Sequence, residues 1–128
     1  MMLLALWLAA PGVGMAAFEG SVEQRLKLGA AELNAKAPFD DGVAILVRAA
    51  ARKHALALRY RLARGASLDA ARRLLAERSC TAHPIRELIS DSGVVVTAVF
   101  ARPSGSPAVV RIEARSCRNL RKSAEGGE

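Results

Sequence analysis

The residues best suited to chemistry in this 128-residue sequence are two cysteines, two histidines and one adjacent pair of aspartates. Cys80, Cys117, His54 and His83 are the only thiol or imidazole ligands that the chain offers to a metal. A closed zinc site needs four such ligands, and the spacing of these four fits no known zinc finger. We therefore predict that the chain has no metal site.

Catalysis is not indicated by the remaining candidates either. A cysteine–histidine nucleophile needs an activated, free thiolate, and the export signal described below argues against one. Asp40 and Asp41 stand between Pro38 and Gly42, which is typical of a solvated loop rather than of an acid–base pair. The sequence has no glycine-rich phosphate loop, no G-x-S-x-G and no H-E-x-x-H. It predicts no enzyme and no cofactor.

Cys80 and Cys117 are better interpreted as a disulfide. Each ends a structured segment, with a helix and a hairpin predicted between them, and an oxidising compartment would favour a covalent link. The closed loop would restrict the unfolded chain by roughly 3–4 kcal/mol. Two buried free thiols, as cytosolic proteins usually carry them, are the alternative.

Residues 1–16 resemble a secretory signal peptide. An uncharged apolar run over 3–10 is broken by Pro11, and Gly14 and Ala16 place small residues at −3 and −1 of a cleavage site after Ala16. The run is too short to span a bilayer as a helix. An uncleaved membrane anchor is the alternative, and the missing basic residue before the run allows a start further upstream. The segment predicts a periplasmic or secreted protein.

Hydrophobic periodicity predicts one domain over 17–118 and a disordered polar tail over 119–128. Ser21 and Gln24 form a capping-box pattern at the start of the first helix. A helix over 43–64 is an alternative to two strands there, because alanine, leucine and arginine are good helix formers. The predicted elements are a helix over 21–36, strands over 43–49 and 54–62, a helix over 68–79, a short helix from Pro84 to Ser92, and strands over 94–101 and 108–114.

This order of elements predicts an α+β fold. We expect an N-terminal helix, two antiparallel β-hairpins that form a roughly four-stranded sheet, helices packed on one face, and one disulfide. No long crossover between parallel strands is expected, which argues against a doubly wound sheet.

A pattern of residues spans most of the mature chain. It comprises Leu33-Asn34 near the end of the first helix, the alternating strand over 56–60, Cys80, Arg86, Leu88, Ile89, Gly93, and a hairpin that closes on Cys117. This pattern resembles a family of small exported proteobacterial proteins grouped around a quorum-sensing-regulated virulence factor. His83 and Ala98 depart from it, where a better N-cap and an aromatic residue are expected. The resemblance implies the compartment and the fold, and it transfers no catalytic residues.

The basic balance of the chain leaves two classes of function. The net charge is +7, and fifteen of the nineteen basic residues are arginine. The main prediction is a small exported interaction or accessory domain without chemistry of its own, with an unknown protein partner in the cell envelope; the family resemblance implies an association with virulence. The alternative is a polyanion-binding protein for nucleic acid, anionic lipid or glycan.

Strand alternation predicts where the basic residues that matter would lie. Arg59 and Arg61 alternate with the apolar residues of their strand, and Arg48 and Arg111 do so in theirs. These four arginines are predicted to share one solvent-facing side of the sheet, as a candidate anion-binding face. The competing interpretation is that they reflect a GC-rich genome and only keep an open sheet soluble.

Overall fold

The computed structural model describes residues 21–126, with side chains described for 21–122. The predicted signal peptide over 1–16 lies outside the described residues. Within them the chain forms four helices and five strands. In chain order these are α1 (Val22–Lys36), β1 (Phe39–Asp40), β2 (Ala44–Arg52), β3 (Ala55–Leu62), α2 (Leu68–Thr81), α3 (Ile85–Ser92), β4 (Val95–Ala101), β5 (Ala108–Ile112) and α4 (Ala114–Gly126).

The strands form one sheet in the order β1-β2-β3-β4-β5. Both predicted hairpins are present, since β2 pairs antiparallel with β3 and β4 pairs antiparallel with β5. The central pair β3–β4 is parallel, with Leu56 opposite Val96 and Tyr60 opposite Phe100. The expectation of no crossover between parallel strands was therefore wrong: α2 and α3 are the crossover that brings the chain back in the same direction.

Local capping explains where the helices begin and end. The Ser21 hydroxyl accepts a hydrogen bond from the Gln24 amide, and the Gln24 side chain accepts one from the Ser21 amide, which completes the predicted capping box of α1. The Ser67 hydroxyl accepts from the Ala70 amide at the start of α2. Gly93 ends α3 in the left-handed conformation with φ 72°, where a side chain would be strained.

The core lies between the helices and one face of the sheet. Alternate strand residues point into it, because successive side chains of a strand face opposite sides. The predicted apolar side of β3 is correct, and the alternative of a helix over 43–64 was wrong. The buried residues of the strands are Ala44, Leu46, Ala49, Leu56, Leu58, Tyr60, Val96, Ala98, Phe100, Val110 and Ile112, against Leu26, Leu33, Leu75, Ile85, Leu88 and Ile89 of the helices.

Two further boundaries differ from the sequence prediction. The residues after Pro38, predicted as loop, include the two-residue strand β1, whose Phe39 lies opposite Leu46. The tail predicted as disordered from 119 is helical to Gly126, and Leu120 packs half-buried against the core. The polar composition of this tail led to the prediction of disorder, although the tail forms an amphipathic helix. The disulfide of Cys117 links this helix to α2.

Candidate interaction surface

The two cysteines are paired with each other, and both histidines lie on the surface. Cys80 of α2 and Cys117 of α4 form the predicted disulfide, with Cα atoms 5.3 Å apart. His54 is exposed in the two-residue β2–β3 turn, while His83 Nδ1 lies 2.6 Å from the Glu87 carboxylate on the protein surface. Among the residues that the structure describes, no three histidine, cysteine, aspartate or glutamate side chains group as metal ligands.

The aspartate pair divides between surface and interior, which corrects the prediction of a solvated loop. Asp40 is exposed, and its carboxylate accepts a hydrogen bond from the Gly42 amide. The Asp41 side chain is only 5% exposed and lies 3.1 Å from the guanidinium of Arg78, itself 14% exposed. Arg78 of α2 is therefore half of a largely buried ion pair.

A narrow crevice beside this ion pair is lined by Tyr60 and Phe100, whose rings stack with centroids 4.9 Å apart. Burial raises the pKa of the Tyr60 phenol above its usual value; the Asp41 carboxylate adds to this, and Arg78 opposes it. Asp41 is held in place by the amides of Val43 and Ala44, both of which donate to its Oδ1. The ion pair ties α2 to the start of β2, while the buried Nε of Arg78 has no hydrogen-bond partner among the described residues.

The side of the sheet turned away from the helices, here the open face, carries the predicted arginines. A β-bulge between Leu46 and Arg48 changes the phase of β2. Val47 is the extra residue, 42% exposed, and both it and Arg48 lie outside the core. Without the bulge, strict alternation after buried Leu46 would turn Arg48 inward, so the bulge places this arginine on the open face.

The pairing register brings the arginines together. Arg48 lies directly opposite Arg59 across the β2–β3 hairpin, and Arg61 follows two residues further along β3. Arg111 lies opposite Thr97 of β4, in the row of side chains next to that of the Arg48–Arg59 pair on the same face. Arg52, which the sequence prediction assigned to a turn, extends β2 onto the same face. The open face thus carries Arg48, Arg52, Arg59, Arg61 and Arg111, all of them exposed.

The positive charge of this face is poorly neutralised. Among the side chains described over 21–122, no carboxylate lies within 4 Å of Arg48, Arg52, Arg59 or Arg61. Arg111 lies 3.8 Å from Glu113. Like charges directly opposite one another in a sheet are destabilising, which makes the Arg48–Arg59 pair unusual as a merely solubilising feature.

Between the arginines, the floor of the open face is made of small apolar residues. Ala50, Ala57 and Val99 line a shallow depression bordered by Arg48 and Arg59. Val109, on the same face in the edge strand β5, is 66% exposed. The surface therefore combines aliphatic contact area with unpaired guanidinium groups.

No protein-family model matches the chain, and no curated protein matches it. No helix within 21–126 has both the length and the apolar character needed to cross a bilayer.

Three solved structures share the fold. The pilotin EpsS of the Vibrio vulnificus type 2 secretion system matches with a TM-score of 0.65 and 19% identity, over 75% of this chain and 91% of that one. The type II secretion system pilotin AspS of Vibrio cholerae matches with 0.63 and 20% identity, over 75% and 92%. A Pseudomonas aeruginosa protein described as a candidate secreted protein matches with 0.61 and 22%, over 76% and 93%.

These likenesses establish the architecture of the chain. More than nine tenths of each of the three proteins is covered, so the shared fold is the whole domain rather than a common motif. The α+β class predicted from the sequence is confirmed, with five strands in place of four and a fourth helix at the C-terminus.

Proposed function

We propose that this chain is a small exported accessory protein of the cell envelope, which binds a protein component of a secretion system and catalyses no reaction. The observation that carries the proposal is the fold, which two type II secretion pilotins share over almost their entire length. A third protein with this fold is described as a candidate secreted protein, which fits the export predicted from residues 1–16.

The character of the described surface supports a binding role. The largely buried Asp41–Arg78 pair ties α2 to the start of β2, and the disulfide occupies both cysteines. The open face, by contrast, leaves charged and aliphatic groups ready for a partner. The resemblance to the quorum-sensing-regulated virulence factor family belongs to this proposal, since it would assign the chain to the same compartment.

The test is made in the organism that encodes the chain. Deletion of its gene should lower the amount of type II secretion substrates in the medium, and a chromosomal copy should restore it. Photo-cross-linking of the full chain in intact cells should capture a component of that secretion system. Unchanged secretion, together with cross-links confined to proteins outside the machinery, would contradict the proposal.

A further inference from the structure

The open face is the part of the molecule whose construction is not explained by folding. The β-bulge at Val47 turns Arg48 outward and sets it directly opposite Arg59. A regular strand would have avoided this contact between like charges. Bulges commonly re-aim a side chain next to a functional site. The bulge therefore holds two guanidinium groups side by side in an arrangement that destabilises the folded state.

We propose that this open face binds an acidic, aliphatic segment of the partner protein, with carboxylates on the arginines and small apolar side chains on the floor. The inference rests on the proposed function, because it names the surface through which the chain would bind. Guanidinium groups pair with carboxylates through two parallel hydrogen bonds, and Arg48 and Arg59 present two such groups in one row. Ala50, Ala57 and Val99 supply the apolar contact between them.

The spacing of the arginines indicates how far apart the carboxylates of the partner segment should lie. Arg59 and Arg61 are two residues apart on one strand, so their Cα atoms are separated by about 7 Å. Acidic side chains at every second position of an extended segment have the same spacing. Carboxylates one turn apart on a helix are separated by about 6 Å, which matches the spacing of the arginines nearly as well.

The other anionic partners fit this surface less well. A single-stranded nucleic acid would need aromatic side chains for stacking, and Tyr60 and Phe100 are buried on the opposite side of the sheet. A membrane surface would need bulky apolar anchors among the basic residues. The larger apolar side chains of the open face are valines and a half-buried Ile45, and only Val47 and Val109 among them are exposed.

The experiment compares two double variants of the full exported chain with the same change in net charge. Arg48→Glu with Arg59→Glu reverses the central pair of the open face. Arg72→Glu with Arg73→Glu, on the exposed side of α2, is the matched control. Each protein is titrated with a soluble peptide whose every second residue is glutamate or valine, so that both share one side of the extended chain, with threonine at the positions between. The other ligands are its glutamine counterpart, heparin, and phosphatidylglycerol vesicles.

We expect the glutamate peptide to bind the wild-type chain and the α2 control alike, and the open-face variant at least about tenfold more weakly. Binding should weaken as salt rises, and the glutamine peptide should not bind. Equal affinity of both variants for the glutamate peptide would overturn the proposal. So would tighter binding of heparin or vesicles than of the peptide through the same arginines, which would assign the face to polyanions or lipid.

Two further results separate this surface from the proposed function. If the glutamate variant fails to fold, Arg48→Gln with Arg59→Gln removes the charges without adding new ones, and the same loss is expected. In intact cells, cross-linking to the secretion machinery that is lost in the open-face variant and kept in the control supports both proposals. Cross-linking retained by both variants would overturn the surface and leave the proposed function standing.

Discussion

The buried Asp41 shows how one residue connects a loop, a helix and the sheet. Its Oδ1 accepts hydrogen bonds from the amides of Val43 and Ala44, which fixes the chain as it enters β2. Its Oδ2 binds Arg78 of α2 at 3.1 Å, so the helix is tied to the end of the sheet. Removing one partner of a buried ion pair is costly, because the other charge stays buried without compensation.

We therefore predict that Asp41→Ala lowers the free energy of unfolding by about 3 kcal/mol, as measured by urea denaturation. Asp40→Ala is the matched control at the adjacent position. Its carboxylate is exposed and makes one hydrogen bond to the Gly42 amide, so a loss of about 0.5–1 kcal/mol is expected. Similar losses in the two variants would show that the ion pair with Arg78 does not stabilise the fold.

Tyr60 gives the chain a predictable sensitivity to alkali. Its pKa is raised above the ordinary value of 10.0 by burial, so the folded state keeps the phenolic proton at a pH where the unfolded state has lost it. The contribution to stability is complete below pH 10.0 and declines as pH rises, by up to about 1.4 kcal/mol per pH unit. Tyr60→Phe should lose this decline. Parallel stability curves for the two proteins above that pH would contradict the prediction.

At the scale of elements, the outer edge of β2 is covered by two different neighbours. The two-residue β1 covers only its first part. Beyond the bulge, the Asn34 side chain of α1 donates to the Ala49 carbonyl and accepts from the Ala49 amide, both at 2.8 Å. The side-chain amide of Asn34 thus makes the hydrogen bonds that a neighbouring strand would make, and it protects this edge of β2 from pairing with another chain. The bulge is thus held from both sides, by β3 and by α1.

The like-charged pair that the bulge creates should have a measurable effect on stability. We predict that Arg59→Gln raises the free energy of unfolding by about 0.2–1 kcal/mol at low salt, because it relieves repulsion from Arg48. Arg61→Gln is the control, since Arg61 lies opposite Ile45 and Ala101 instead of another arginine. The gain should shrink as salt screens the repulsion. An equal gain in the control would attribute the effect to net charge alone.

The elements differ in how far sequence could predict them. Strict alternation identified β3, and capping residues located α1 and α2, because these signals are local. The bulge escaped detection because Val43, Ile45 and Val47 alternate as in a regular strand, whereas the buried side is that of Ala44 and Leu46. The parallel pairing of β3 with β4 and the Asp41–Arg78 contact depend on residues distant in sequence, which no local pattern records.

At the scale of the whole molecule, the disulfide joins segments that the sheet does not connect. Cys80 lies in the last turn of α2, a helix of the crossover, and Cys117 lies in the C-terminal helix α4 that follows β5. The fold is shared with proteins of about one fifth identity, so its hydrophobic pattern tolerates wide substitution. A covalent link can therefore add stability without determining the architecture, and its formation depends on where the chain resides.

This dependence gives the last prediction, which concerns the compartment. Chain produced with residues 1–16 should be exported, begin near Ala17, and have a mass two hydrogens below that of the reduced protein. Chain produced from residue 17 onward in a reducing cytosol should carry two thiols that react with an alkylating agent after denaturation. The reduced form should be about 2–5 kcal/mol less stable, and oxidation in vitro should restore the difference. N-terminal sequencing and intact-mass measurement of fractionated cells provide the readout. Recovery of the full-length chain from the cytosol with Met1 in place and both thiols free would contradict export and the role assigned to the disulfide together.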